Sequence, residues 1–332
     1  MYNNSNSINT INSIGCMEIK NFIPQSLYNM LHKFNFTTNI NFIINTELIL
    51  QVCRITELNY DVLKYLVNFN TIHINFNMHK YTELFNKLPS NIKYIDIDTD
   101  IECNLSINNL PPLLIYLQLY NKFNNPIDYL PNSLQYLFCG NNFNQSIDNL
   151  PTNLEVLYLK DKFNHSIDNL NDNIKILYIN SCAFSHSINK LPKKIKILIL
   201  HIYHLYKLNY NCFTELGDLC EVSLNSCVEI DYSKIQWCDS VKILKLHNFK
   251  MCYTNLPKYL EELHINMELK LDLEPELDLE LDPELDMNIN IIKLPLTLKK
   301  FIYHTNCTNT KQIILKIKLL QQQYPNIEFI HT

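Results

Sequence analysis

The chain has 332 residues and a formal net charge of −5 at pH 7. Hydrophobic residues make up 47% of it, which is enough apolar surface for a folded protein and argues against wholesale disorder. It holds only 3 glycines, so a Gly-rich phosphate loop or dinucleotide fingerprint cannot be assembled. The acidic balance and the single arginine, Arg54, also lack the basic footprint of a nucleic-acid-binding protein, so we expect no nucleic-acid partner.

The N-terminal part of the chain predicts a tail followed by a small helical region. Residues 1–20 are polar and rich in Asn and Ser, so we expect a disordered tail. Within residues 21–65, Ser26–Phe34 and Thr46–Ile55 have the apolar spacing of helices, which predicts a helical cap. The chain shows neither a signal peptide nor an apolar run long enough to cross a membrane. We therefore expect a cytoplasmic protein without a membrane partner.

Residues 66–332 predict a solenoid of short repeated coils. A leucine recurs every 20–22 residues or so, which lies within the range of leucine-rich repeats. This leucine occupies positions Leu88, Leu110, Leu130, Leu150, Leu170 and Leu191. Two further apolar columns, which include Leu117 and Leu119 in one coil, alternate with other residues at period two. That alternation indicates a short strand with one buried face, and stacking such coils yields a parallel sheet with a continuous core.

The arcs between the strands predict turns or brief 3₁₀ segments, because they are too short for long helices. Each arc carries a phenylalanine that we expect to fill the convex side of the core; these are Phe123, Phe143, Phe163 and Phe184. A short polar residue precedes the Leu-Pro step and is expected to close an Asx-type turn; these residues are Asp128, Asp148, Asp168 and Asn189. Cys139 takes the place of an inward leucine, as an unreactive buried thiol does.

The pattern FNxxIDxLPxxLxxLxL, found at Phe123–Leu137, Phe143–Leu159 and Phe163–Ile179, resembles the FNIP repeat of social amoebae and giant amoeba-infecting viruses. The resemblance implies a leucine-rich-repeat-like fold with a curved parallel sheet, and residence in the host cytoplasm if the protein is viral. Members of this family often carry an N-terminal F-box, which docks on the Skp1 subunit of cullin ubiquitin ligases. The start of such a box is weakly similar to Ile23–Leu27, so residues 21–65 are either a degenerate F-box or a plain helical cap.

Beyond Leu200 the repeat becomes irregular but continues to the end of the chain. An acidic low-complexity insertion at residues 268–286 is expected to be a solvated surface loop, with an acidic clamp for a basic partner as the alternative. The segment Lys311–Gln323 predicts a helix with one apolar face, and Ile327–Ile330 predicts a strand. Together they predict a helix–strand cap over the last coil.

Catalytic motifs are missing from the sequence, so we predict neither an enzyme nor a cofactor. The alternative is a metal-dependent enzyme that uses residues 201–238. Its candidate metal ligands are His201, His204, Cys212, Cys220, Cys227 and Cys238, together with His247. We predict instead a monomeric module that binds a protein partner through an exposed aromatic and aliphatic stripe on the concave sheet. The residues of this stripe are Gln118, Phe138, Tyr158, Tyr178, Ile199, Tyr116 and Tyr136. With an F-box the module would be a substrate adaptor of a cullin ligase; otherwise it would be a scaffold or host-interaction protein.

Overall fold

The computed structural model describes three short segments, each a strand, in the first 74 residues and most of the chain from residue 87 onward. The described residues are 18–21, 51–55, 71–74, 87–97, 106–203, 209–226, 232–247, 255–267, 293–305 and 310–332. They belong to two compact units, Met1–Asn173 and Ile174–Thr332.

The first unit contains seven described strands that follow one another in chain order. They are β1 (Glu18–Asn21), β2 (Gln51–Ile55), β3 (Thr71–Ile74), β4 (Tyr94–Ile97), β5 (Tyr116–Gln118), β6 (Tyr136–Phe138) and β7 (Val156–Lys160). β1 is antiparallel to β2, and every later strand is parallel to the one before it. The register advances by one repeat per strand, because Leu117 lies opposite Leu137 and Leu137 lies opposite Leu157. This confirms the predicted leucine-rich-repeat-like solenoid.

The second unit continues the same plan. Its elements are β8 (Ile176–Ser181), β9 (Ile197–Ile202), β10 (Glu221–Asn225), a 3₁₀ turn (Tyr232–Lys234), β11 (Ile243–His247), β12 (Glu262–Met267), β13 (Lys300–Thr305), α1 (Thr310–Gln323) and β14 (Glu328–His331). Each strand is parallel to its predecessor in the unit. α1 and β14 confirm the predicted C-terminal helix and strand, and α1 buries Ile317 and Leu320. No helix in the described part of the chain is long and apolar enough to span a membrane.

Two strands lie where the sequence predicted other structures. β1 lies at the end of the predicted disordered tail, and it pairs with β2. β2 falls within Thr46–Ile55, so the predicted helix is wrong for residues 51–55. The β-branched residues Val52 and Ile55 suit a strand, and pairing with β1 and β3 outweighs the helical spacing. The rest of the predicted cap and the acidic insertion lie outside the described residues.

The core of the first unit follows the predicted columns. Leu117, Leu137 and Leu157 are each fully buried. The turn before each strand is closed by the proline of the Leu-Pro step, whose carbonyl oxygen accepts a hydrogen bond from the leucine three residues later. This bond measures 3.0 Å from Leu134 to Pro131 and 3.1 Å from Leu154 to Pro151. Proline suits this position because it fixes φ, and the bond uses its carbonyl rather than a backbone N–H.

The phenylalanines of the arcs stack through the side of the core opposite the strands. The ring centroids of Phe123 and Phe143 are 6.3 Å apart, and those of Phe143 and Phe163 are 6.3 Å apart with planes inclined by only 1°. All three rings are fully buried, as the sequence predicted. Each ring therefore depends on the coil above or below it for part of its packing.

Polar side chains join the outsides of successive coils. The carboxylate of Asp128 accepts a 3.0 Å bond from Asn149 Nδ2, and that of Asp148 accepts a 2.8 Å bond from Asn169 Nδ2. Asp148 also accepts from Ser146 Oγ, and these two bonds hold the pKa of its carboxyl below the usual range. These aspartates therefore link coils, whereas the sequence had predicted only a turn within each coil.

Replacing Asn149 by Ala is expected to lower the free energy of unfolding by about 0.5–1 kcal/mol, because one exposed hydrogen bond between coils is lost. Urea titration followed by circular dichroism measures this change. Asn132→Ala is the matched control: it removes another exposed asparagine side chain but keeps the backbone oxygen that Asn153 uses. Equal effects of the two substitutions would mean that the bond from Asn149 to Asp128 contributes nothing.

Candidate protein-binding face

The strands of the first unit have a second face, directed away from the leucine core. We call it the outer face. Its side chains alternate with the inward leucines and fall into two register columns. The columns contain Tyr94, Tyr116, Tyr136 and Val156, and Asp96, Gln118, Phe138 and Tyr158. The sequence predicted that these residues would align in register, and the strand pairing confirms it.

Four of these residues form a continuous series of ring contacts, which we call the aromatic ladder: Tyr94, Tyr116, Phe138 and Tyr158. Successive ring centroids lie 6.5, 5.2 and 5.7 Å apart, with tilted planes. These separations are in the range that aromatic pairs prefer. The contact from Tyr116 to Phe138 is diagonal, because Tyr116 lies opposite Tyr136 in the strand register. Adjacent strands of the parallel sheet thus bring the rings together.

The aromatic ladder is more buried than the sequence predicted. Tyr116 is 1% exposed and Phe138 is 6% exposed, because neighbouring rings cover them. The expectation that these two side chains lie open to solvent is therefore wrong. Gln118, Tyr136 and Tyr158 are half-buried, as is Tyr94, so these four side chains form the accessible part of the face.

Polar groups border the aromatic ladder. The hydroxyl of Tyr116 donates a 3.1 Å hydrogen bond to Gln118 Oε1, and Lys160 Nζ lies 5.3 Å from the ring centroid of Tyr158. Burial, and to a smaller extent the charge of Glu155, raises the pKa of Tyr136 to about 12. Its phenol is therefore protonated at neutral pH and is able to donate a hydrogen bond. Half-buried tyrosines with apolar rings and polar hydroxyls are characteristic of protein interfaces.

In the second unit the predicted stripe is buried. Tyr178 and Ile199 lie opposite each other in the register, and each is 2% exposed. The expectation of exposure is wrong for these two residues as well. The ring of Tyr178 is 6.0 Å from that of His201, which covers part of it.

Further along the second unit the same face becomes polar, which the sequence analysis missed. Lys245 Nζ lies 2.7 Å from Glu221 Oε1, and the side chain of Glu221 is only 7% exposed. His264 contacts Glu262 on its own strand, and burial is the largest cause that lowers the pKa of His264. Lys245 lies between Ser223 and His264 in the register, opposite each of them. The alternation of Glu221 with Ser223, and of Glu262 with His264, was the available signal, since charged residues there stand where other coils carry aliphatic or aromatic ones.

The proposed metal ligands of residues 201–238 do not form a cluster in the described part of the chain. No three His, Cys, Asp or Glu side chains among the described residues are placed so that they could hold a metal ion. Burial raises the pKa of the Cys212 thiol to about 12, which disfavours the thiolate that a metal would need. His201 instead contacts Ser223 Oγ at 3.2 Å and His247 at a ring separation of 5.4 Å. Cys227 and His204 lie outside the described residues.

Comparison with known proteins yields a structural neighbour but no family. No protein-family model matches the chain, and no curated protein matches it. Among solved structures it is similar to the giant-virus protein CroV588, described as a novel circular LRR protein structure, with 21% identity and a TM-score of 0.49. The match covers 77% of this chain and 40% of CroV588, so this chain spans less than half the length of that protein. The fold assignment rests on the strand register and the repeated core of the chain itself.

Proposed function

We propose that this chain is a non-enzymatic protein-interaction module that binds a partner protein through the outer face of its first unit. The observation that carries this proposal is the aromatic ladder. It places four rings on the side of the sheet that the leucine core does not use. Leucine-rich-repeat-like solenoids supply extended surfaces of this kind, and tyrosine is enriched among the residues that dominate binding energy.

On a single strand, different residues are expected to contribute to stability and to partner binding. On β7, Leu157 and Leu159 are fully buried in the core, while Tyr158 between them is half-buried on the outer face. Tyr158 packs against Phe138 at one edge of the aromatic ladder, so its truncation removes a contact surface without opening the core. This is the arrangement expected if Tyr158 contributes to partner binding more than to stability.

Replacing Tyr158 by Ala is therefore expected to weaken partner retention by about tenfold or more, the cost of a tyrosine hot spot, with a small effect on the melting temperature. The measurement is quantitative mass spectrometry of proteins captured from lysate by the full chain and by the variant. Tyr129→Ala is the matched control, since Tyr129 is 70% exposed and belongs to a turn outside the outer face. A partner retained equally by both variants would contradict binding through the aromatic ladder.

The FNIP resemblance supports a more specific version of the proposal. If residues 21–65 are a degenerate F-box, the chain is a substrate adaptor that joins its partner to Skp1 and a cullin ligase, and the outer face selects the target. If they are a plain cap, the chain is a scaffold or host-interaction protein. Capture by the full chain, compared with a chain that starts at Tyr65, distinguishes the two. Recovery of Skp1 and a cullin only with the full chain supports the adaptor, and their loss from both samples excludes it.

The remaining expectations belong to the same proposal. A monomer that acts in the cytoplasm, or in the host cytoplasm for a viral protein, is the form in which such a module would meet its partner. Neither expectation requires a cofactor.

A further inference from the structure

A column of lysines precedes the strands of the second unit. The residue just before each strand accepts a backbone hydrogen bond from the equivalent residue of the next coil. These bonds measure 2.7 Å from Lys196 N to Lys175 O and 2.8 Å from Lys299 N to Glu261 O, with Cys220 and Lys242 in the intervening coils. We call the lysines at this position the basic column: Lys175, Lys196, Lys242 and Lys299. Because they occupy one register position, they lie at the end of the sheet where the strands begin. Residues at this position on adjacent strands are about 4.8 Å apart.

This column is a property of the second unit. In the first unit the same position, defined by the same backbone bonds, contains Lys93, Ile115, Gln135 and Glu155. The column is flanked in the second unit by further exposed lysines, namely Lys193, Lys194, Lys258 and Lys300. Carboxylates flank it as well. Asp218 and Glu328 are exposed, Asp239 interacts with Lys258, and Glu262 lies opposite Lys300 in the register, while Glu261 stands within the column itself. The flanks therefore carry charges of both signs, whereas the column itself contains four lysines and one carboxylate and so has a net positive charge.

One carboxylate of the chain itself, that of Glu261, already pairs with the basic column. This carboxylate lies 3.2 Å from Lys242 Nζ on one side and 2.5 Å from Lys299 Nζ on the other. The hydrogen bonds from these two lysines hold the pKa of Glu261 below its usual range. The side chain of Lys299 is nevertheless 70% exposed and that of Lys242 is 42% exposed. Both lysines therefore have ammonium protons that face solvent while one carboxylate is already bound.

We propose that the basic column of the second unit binds an acidic, extended polypeptide segment of the partner protein. Glu261 is the internal example of the contact, and carboxylates of the partner would bind Lys196 and the solvent-facing protons of Lys299 in the same way. Long flexible lysine stems allow the ammonium groups to follow carboxylates that recur about every 7 Å along an extended chain. This inference deepens the proposed function and rests on it in one respect, that the partner is a protein.

The column favours a polypeptide over a nucleic acid. A lysine ammonium group does not form the bidentate hydrogen bonds by which an arginine guanidinium recognises phosphate or guanine. The column contains no arginine. The whole chain is also acidic, so it lacks the broad positive field that nucleic-acid binding requires. A local row of lysines on an acidic protein is instead suited to forming short-range ion pairs with a few carboxylates.

The test is fluorescence anisotropy of a labelled peptide of alternating Glu and Ser, titrated with the full chain at low salt. Binding is expected and should weaken as salt is added, since the contacts are solvent-exposed ion pairs. The double substitution Lys196→Glu, Lys299→Glu is expected to weaken it by about tenfold or more, because charge reversal turns two attractions into repulsions. The matched control is Lys122→Glu, Lys162→Glu, which makes the same change of net charge at two exposed lysines of the first unit.

Three results would overturn the inference: no binding of the peptide, equal weakening by the two double substitutions, or tighter binding of a single-stranded oligonucleotide that depends on Lys196 and Lys299. None of them touches the proposed function, which is read from the effect of Tyr158→Ala on partner capture. Conversely, loss of that effect with peptide binding intact would leave an acidic-peptide site whose partner does not use the aromatic ladder.

Discussion

Replacing Leu157 by Asp is expected to unfold the first unit. Leu157 is fully buried, and it pairs in register with Leu137 of the preceding coil. An ionised carboxylate there would be surrounded by leucine side chains with no cation to pair with, which costs several kcal/mol. The expected loss is at least about 4 kcal/mol, comparable to the whole stability of many domains. Circular dichroism during thermal unfolding measures it as a lowered melting temperature or a missing transition.

The control for this substitution is Leu113→Asp, because Leu113 is also a leucine of the first unit but is 53% exposed in the turn before β5. Its melting temperature should stay within a few degrees of that of the unchanged chain. A Leu157→Asp variant that melts like Leu113→Asp would show that Leu157 does not face the core, and the assignment of inner and outer strand faces would be wrong.

Replacing Gly140 by Ala is expected to lower the free energy of unfolding by about 3 kcal/mol, at the upper end for overpacking. A Cβ atom at Gly140 would lie 2.1 Å from the backbone oxygen of Tyr120 and 2.7 Å from Cα of Asn121. Both contacts are with backbone, so no side chain is able to swing away to relieve them. The coil that follows β6 must then shift relative to the coil that follows β5, which disturbs the stack. Urea titration of the two proteins gives the difference.

Gly217→Ala is the matched control, because a Cβ atom at Gly217 would have no heavy atom within 4 Å. Its effect should lie within about 0.5 kcal/mol. If both glycine substitutions proved equally mild, the close approach of Gly140 to Tyr120 would not exist in solution. Gly140 lies just after β6, and its close approach to the backbone of Tyr120 explains why this position is glycine.

The periodic features of the fold could be predicted because each of them repeats. The recurring Leu-Pro step, the inward leucines and the arc phenylalanines define one coil, and every further coil restates the same spacing. The C-terminal helix was also predictable, since an apolar helical face shows in the local sequence, and Ile317 and Leu320 are indeed buried. Features that depend on periodicity alone are therefore visible without any structure.

The features that depend on contacts between coils were not predictable in the same way. Burial of Tyr116 and Phe138 arises from rings of neighbouring strands, and a single strand read by itself shows only an outward aromatic residue. β2 was predicted as the second half of a helix over Thr46–Ile55, because apolar spacing in so short a segment does not separate a helix from a strand. Its pairing with β1 and β3 shows that it is a strand. The basic column was also missed, because its lysines are one or two coils apart in sequence and their alignment follows only from the backbone hydrogen bonds.

The inner face of the strands forms the core of the fold, and we propose that the outer face performs the function. Tyr158 and Tyr129 provide the comparison, since both are tyrosines of the first unit but only Tyr158 belongs to the aromatic ladder. The most direct measurement replaces each in turn by the photo-crosslinking amino acid benzoylphenylalanine, irradiates the folded chain in lysate and identifies covalent products by mass spectrometry. We predict that the residue at position 158 forms a crosslink to one protein partner and that the residue at position 129 does not. Crosslinks to the same protein from position 129, with none from position 158, would contradict binding through the outer face.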